Sequence, residues 1–301
     1  MAKGKKMKRN MSVAMCRVED DRAAFVEGTY QDRLGKVKRG LMMLDSGSNV
    51  NALFKWMWRY VAKDKKRKGK KQEIVGMGPV KAQMKTTGFS FTLGEENFEE
   101  KFVVMDSVHK IMVGRLPVIG LLGNVFMQQY RLALDYSTHT LHTSEIVPKD
   151  FVIEDCDFFF PMTLGLCHYS MPVVGVKKGE EEMIALIDSG STDNHVASGT
   201  LRRNGYESQT KDEINPIYGI GGMLVAKETV IDVDMIGFAS ANETTLHRYR
   251  DTFMVSEQDV ITNEIGEDIP PVEFVFGSPF LGREGWVLDF GAKAMYKRKS
   301  A

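Results

Sequence analysis

The chain has 301 residues, 43% of them hydrophobic and 27% charged, which supports a sizeable buried core and excludes disordered, collagen-like and low-complexity classes. At roughly 150 residues per domain the length predicts about two domains. The formal net charge is zero, yet residues 1–148 carry 26 Lys plus Arg against 15 Asp plus Glu and the remainder 14 against 25, so the halves are opposite in sign and favour docking on one another.

Residues 1–21 read as a basic, flexible amino terminus, followed by a first unit over 22–148 and a second over 149–301. The apolar stretch after the basic start, Met11 to Cys16, is too short for a signal-peptide core, and the runs 102–105 and 183–187 are far too short to cross a membrane. The expected location is therefore the cytoplasm, with no membrane partner. Cys16, Cys156 and Cys167 lack any C-x-x-C pairing, which fits a reducing compartment. Cys167 and His168 are adjacent and would point to opposite faces of a strand, so packing explains them better than a metal. The run Lys63 to Lys71 has no aromatic interleaving and no nucleic-acid reader motif, and reads as a solvated loop.

Further elements come in a repeating order. An apolar run, Leu41 to Leu44, reads as a buried strand ending in Asp45-Ser46-Gly47-Ser48; it returns as Ile184 to Ile187 followed by Asp188-Ser189-Gly190-Ser191, 143 residues later. Residues 55–68 predict a helix after the first block and 197–204 a weaker one after the second. Val75-Gly76-Met77-Gly78 and Tyr218-Gly219-Ile220-Gly221 keep the same displacement, and their glycines suit hairpin tips within 73–82 and 216–226. Last come Leu122-Gly123-Asn124 with Leu132 to Asp135, matched by Phe276-Gly277-Ser278 with Trp286 to Asp289, each twelve residues from glycine to aspartate but now 154 apart. Asn124 and Ser278, the latter with Pro279, are placed to cap short helices. Three blocks in one order predict a duplicated, mainly β domain, with an insertion in the second copy.

One Asp-Ser-Gly-[Ser/Thr] is ordinary turn chemistry. Chance supplies it in roughly one chain in a hundred of this length, so two copies at matching repeat positions call for a chemical reading. Two carboxylates brought together about a pseudo-twofold axis cannot easily both ionise; one keeps a proton and the other acts as a base. Such a pair activates water against a peptide carbonyl without a metal, cofactor or covalent intermediate.

These blocks resemble the retropepsin-like and pepsin-like aspartic proteases over about 28–298, as a tandem of two acid-protease-like lobes related by a pseudo-twofold axis and closed within one monomeric chain. The resemblance implies an aspartic endopeptidase acting on a peptide or protein substrate, with Asp45 and Asp188 as the catalytic pair. It also implies that Ser46 and Ser189 tie the two loops together, that Ser48 and Ser191 hydrogen-bond the carboxylates from outside, and that Gly47 and Gly190 belong to the supporting turns. Gly76, Met77 and Gly78 would form one flap and Gly219, Ile220 and Gly221 the other. The alternative is an inactive module of the same fold that grips an extended peptide; lobes pairing between chains are a third reading.

Nucleophile-elbow, H-E-x-x-H and phosphate-loop motifs do not occur, and the six histidines are scattered. His195, seven residues after Asp188, is placed to approach the site, although packing or solvent contact is the favoured reading. Asp135 and Asp289 read as structural, and Trp56, Met57, Trp58 and Tyr60 as a helix packed on its lobe.

Overall fold

The computed structural model describes residues 10–16, 23–61, 71–75, 81–105, 110–145, 156, 159–164, 171–206, 210–219, 222–240, 243–256 and 272–298. Short apolar runs bounded by turn residues make strands, and the chain is mainly β. The first half runs β1 (Ser12–Cys16), β2 (Phe25–Gln31), β3 (Val37–Asp45), β4 (Asn51–Phe54), α1 (Lys55–Val61), β5 (Lys71–Val75), β6 (Lys81–Leu93), β7 (Glu96–Met105), β8 (Met112–Val113), β9 (Leu116–Gly123), α2 (Asn124–Tyr130), β10 (Leu132–Asp135) and β11 (Thr140–Thr143). The second runs β12 (Phe159–Pro161), β13 (Thr163–Leu164), β14 (Pro172–Lys178), β15 (Glu181–Asp188), β16 (His195–Ala197), α3 (Ser198–Arg203), β17 (Ile214–Gly219), β18 (Gly222–Ser240), β19 (Glu243–Ser256), β20 (Val272–Gly277), α4 (Ser278–Glu284), β21 (Val287–Asp289) and β22 (Ala294–Tyr296). Of the helix expected over 55–68, the structure shows α1; residues 62–70, with most of the basic run, lie outside the described residues, as do Cys167 and His168.

The two halves repeat one pairing scheme. β3 runs parallel to β9 with Asp45 opposite Gly123, and β15 runs parallel to β20 with Asp188 opposite Gly277. β4 lies antiparallel to β9 and parallel to β7; β16 takes the same two places against β20 and β19. Enclosed parallel strands need apolar residues on both faces. Accordingly β20 is buried throughout, and β9 from Val118 onward. Each lobe then fills with aromatic side chains, Phe91, Phe98, Phe102 and Phe126 in the first and Phe253, Phe274, Phe276 and Phe280 in the second. Burying each such ring stabilises by about 2 kcal/mol.

The lobes join through a six-stranded antiparallel sheet in the order β1, β11, β10, β21, β22, β12. At its centre Ala133 faces Asp289, Leu134 faces Leu288 and Asp135 faces Val287. Each residue of β10 is thus set against β21 in an order that exchanges repeat equivalents, so the pseudo-twofold axis passes through the Leu134–Leu288 pair. The flanking bonds obey the same symmetry: Tyr136 N donates to Trp286 O and Phe290 N to Leu132 O, both at 2.9 Å. Asp135 and Asp289 close the adjacent turns. Asp135 accepts from Ser137, Thr138 and Arg298, and Asp289 from Ser144, Ala292 and Tyr296. Among the described residues no helix is long and apolar enough to cross a membrane.

Candidate active site

Each aspartate sits at the end of a buried parallel strand, where the chain leaves the sheet through a glycine turn. The turn can close because Gly123 and Gly277 carry no side chain: a Cβ on Gly123 would strike the carbonyl oxygens of Ser48 and Val50, and one on Gly277 those of Ser191 and Asp193. Asn51 and Asn194 then hold the crossing. Asn51 Oδ1 accepts Gly123 N–H at 3.0 Å and Asn194 Oδ1 accepts Gly277 N–H at 2.9 Å.

The structure brings Ser46 and Ser189 together across the axis. Ser46 Oγ donates to Ile187 O at 2.7 Å and accepts Ser189 N–H at 2.8 Å; Ser189 Oγ donates to Leu44 O at 2.8 Å and accepts Ser46 N–H at 2.9 Å. All four bonds are buried, each satisfying a backbone group that would otherwise be stranded away from water. Gly47 and Gly190 lie crosswise to the carboxyls: a Cβ on Gly47 would overlap the Asp188 carboxyl, and one on Gly190 the Asp45 carboxyl. Glycine at these positions is what lets the two acids approach.

Asp188 is buried and Asp45 half-buried, and their carboxyls hydrogen-bond to one another. Burial, then the charge of Asp188 and the hydrogen bond to it, push the Asp45 carboxyl well above the ordinary carboxylate range. Burial also raises Asp188, but its ionised form is supported by the N–H groups of Gly190 and Gly47, by Asp45 and by Ser191 N–H. The Gly190 and Gly47 donors stand 2.9 and 3.2 Å from Asp188 Oδ1. Two carboxyls raised together in this way do not both ionise easily, so the pair as a unit favours holding one proton.

The hydroxyls of Ser48 and Ser191 do not take the outer position on the carboxylates. Ser48 Oγ donates to Val50 O at 2.9 Å and Ser191 Oγ to Asp193 O at 2.7 Å. The backbone N–H groups of Ser48 and Ser191 close the turns onto the carbonyl oxygens of Asp45 and Asp188, at 3.3 and 3.1 Å, and also favour the ionised carboxylates. Asn124 and Ser278 likewise do not cap their helices. The caps are Gly123 and Gly277 with no side-chain bond, and the two side chains reach back into the turns, Asn124 Nδ2 to Ser46 O at 3.1 Å and Ser278 Oγ to Ser189 O at 2.8 Å. Sequence reasoning missed this role and those of Asn51 and Asn194. The signal was present, because Asn51 and Asn194 are 143 residues apart like the aspartates, and Asn124 and Ser278 are 154 apart like their glycines.

Around this centre, β17 and β18 form a hairpin with Gly219 paired to Gly222; Ile220 and Gly221 lie outside the described residues, as do Gly76, Met77 and Gly78 between β5 and β6. Met57 is fully buried and Trp56 packs on the core, so α1 lies against its lobe. Among the described residues no three His, Cys, Asp or Glu side chains gather as a cation site.

Compared by sequence, the chain matches no protein-family profile and no curated protein. Its structure is similar to that of an aspartic proteinase from Irpex lacteus, with 11% identity, a TM-score of 0.50, and coverage of 97% of this chain and 98% of the other. It is equally similar to conglutin gamma, a basic 7S globulin from lupine seeds, and to basic 7S globulin from soybean, at 9% and 10% identity, TM-scores of 0.50, and coverage of 97% of this chain and 95% of each. The fold is thus pepsin-like along nearly the whole chain.

Proposed function

We propose that the protein is an aspartic endopeptidase in which Asp45 and Asp188, one from each lobe of a single chain, share a proton and activate a water. The observation that carries this reading is the buried carboxyl pair itself, held by four cross-axis serine bonds and approached from both sides by glycine. A bare peptide-binding cleft has no need to bury two acids against one another, an arrangement that costs stability unless one stays protonated. Asp188 takes a proton from the water as its oxygen attacks the peptide carbonyl, and Asp45 gives its proton to the carbonyl oxygen. When the tetrahedral intermediate collapses, Asp188 gives its proton to the leaving nitrogen, the C–N bond breaks, and Asp45 takes a proton back from a hydroxyl of the intermediate as the C=O bond re-forms, so the pair again holds one proton. The substrate lies extended between this pair and the β17–β18 and β5–β6 hairpins, which supply strand-like backbone bonds.

Activity in this mechanism needs Asp188 ionised and Asp45 protonated. Both carboxyls are raised, Asp45 the more strongly, so the bell-shaped rate profile sits above the ordinary carboxylate range, in keeping with a cytoplasmic setting. The test is to incubate the purified protein and its Asp45→Asn and Asp188→Asn variants with a diverse peptide mixture from acidic to neutral pH, reading new termini by mass spectrometry. Cleavage by the parent, reduced at least about a thousandfold in each variant, is expected. A folded parent that binds peptides yet produces no new termini would make the fold a peptide-gripping module here, and undiminished cleavage by Asp188→Asn would remove the pair from the chemistry.

A further inference from the structure

We propose that His195 is a positioning residue for Asp188: as a neutral imidazole it donates Nε2–H to Ser191 Oγ and so fixes the turn whose backbone N–H groups hold the Asp188 carboxylate. This inference rests on the reading of Asp45 and Asp188 as a proton-sharing pair. Geometry sets the direction of the bond. Ser191 has one hydroxyl proton, and it goes to Asp193 O at 2.7 Å, so the 3.1 Å contact between Ser191 Oγ and His195 Nε2 has the imidazole as donor. That fixes the tautomer, leaving Nδ1 as a bare acceptor. Nδ1 is buried and finds no partner among the described residues, in a side chain only 5% exposed.

A buried histidine with an unpaired ring nitrogen is a poor choice for packing alone. The equivalent position 143 residues earlier is Ala52, which packs apolarly with Met84, Val103 and Leu121. The first turn closes its own Ser48–Val50 bond without help, so the histidine adds something needed only beside Asp188. What it adds is a second hydrogen bond on the Ser191 hydroxyl, clamping the turn that closes onto Asp188 O and carries the Gly190 N–H bonded to the Asp188 carboxyl.

Charges around the ring leave it neutral. From its own loop Asp193 acts on it, and burial outweighs that charge, holding its pKa down to about 4. From β20, Val275 stands opposite, while Glu273 is engaged by Thr200 and Arg203 of α3. From β19, Met254 stands opposite, and Asp251 is bound by Arg283 and Asn194. No cation from these elements competes for the Ser191 contact.

The test is a carboxyl carbon-13 NMR titration of protein labelled at aspartate, with Asp45→Asn and Asp188→Asn providing assignments. In His195→Ala the Asp188 midpoint should rise by roughly half a pKa unit or more, and kcat should fall about tenfold with KM nearly unchanged, the size of one lost hydrogen bond. Ser191→Ala should shift the same midpoint upward. His195→Gln, whose side-chain amide can donate where Nε2 does, should restore both midpoint and rate. An unmoved Asp188 midpoint in folded His195→Ala overturns the proposal. So does a nitrogen-15 imidazole spectrum of the parent showing Nδ1–H as the tautomer, a measurement that stands even if the alanine variant does not fold. A parent that cleaves nothing while showing the Asp188 shift would strike the endopeptidase reading and leave this one standing.

Discussion

The turn after β3 and the turn after β15 share a sequence block, a register and a set of backbone bonds, yet they surround their aspartates differently. Both present Asp-Ser-Gly-Ser at the end of a parallel strand, both lock a glycine N–H onto an asparagine, and both send a helix-start side chain back to the serine carbonyl. Asp188 is buried and takes the N–H groups of Gly190 and Gly47 on one carboxyl oxygen, whereas Asp45 is half-buried; burial raises both carboxyls. Behind one turn stands Ala52, behind the other His195. A shared proton sits on one acid at a time even in a symmetric pair, and differences such as Ala52 against His195 bias which acid that is.

The largest test of the symmetric part is the serine pair. Ser46→Ala strands Ile187 O and Ser189 N–H, and Ser189→Ala strands Leu44 O and Ser46 N–H. With two buried backbone groups orphaned at about 1–3 kcal/mol apiece, each variant is expected to lose about 4 kcal/mol in denaturant unfolding. The double variant should lose clearly less than the sum, because the two hydroxyls serve one crossing.

The asymmetric part shows in the pH dependence of stability. His195 has a folded pKa of about 4 against an ordinary value near 6.5, so the unfolded chain takes up the proton first as pH falls. The stability of the neutral state is whole above pH 6.5, declines as the pH drops through that window, and is lost by about pH 4, a change of about 3 kcal/mol. Unfolding curves of the parent and of His195→Gln across this range isolate it: the parent should lose that much relative to the variant, and parallel curves would mean that the imidazole already titrates normally in the fold.

A smaller effect is expected at the glycines that let the acids meet. Gly47→Ala and Gly190→Ala each push a methyl group into the opposite carboxyl, shifting it by a fraction of an ångström to an ångström. Misplacement of that order costs about 100-fold in kcat, or about 2.7 kcal/mol of barrier. Equal losses in the two variants would show that both acids need the same precision; a milder loss in Gly190→Ala would show that protonated Asp45 tolerates movement better than the anion.

Several features were legible because they are local or repeated. The 143-residue displacement exposes the two Asp-Ser-Gly-Ser turns, and the apolar runs before them place both aspartates at strand ends, as β3 and β15 show. The 154-residue displacement exposes β10 and β21, but nothing in it says that these two strands pair with each other through Leu134 and Leu288. The family resemblance implies a carboxylate partner for Ser48 and Ser191, and local chemistry a cap role for Asn124 and Ser278, yet each has a backbone acceptor that only the folded turn brings within reach. His195 stood out in sequence only by lying seven residues after Asp188; its bond to Ser191 depends on where that hydroxyl sends its single proton, which the fold decides.

By itself, then, the sequence determined a duplicated β architecture with one acid per copy, because strand periodicity, turn residues and repeat spacing are properties of short segments. The tertiary structure alone decided that the acids meet and that the serines cross. It also decided the environment the two carboxyls share, because burial and hydrogen-bond donors are summed over groups 70 to 150 residues apart that come together only after the lobes have closed.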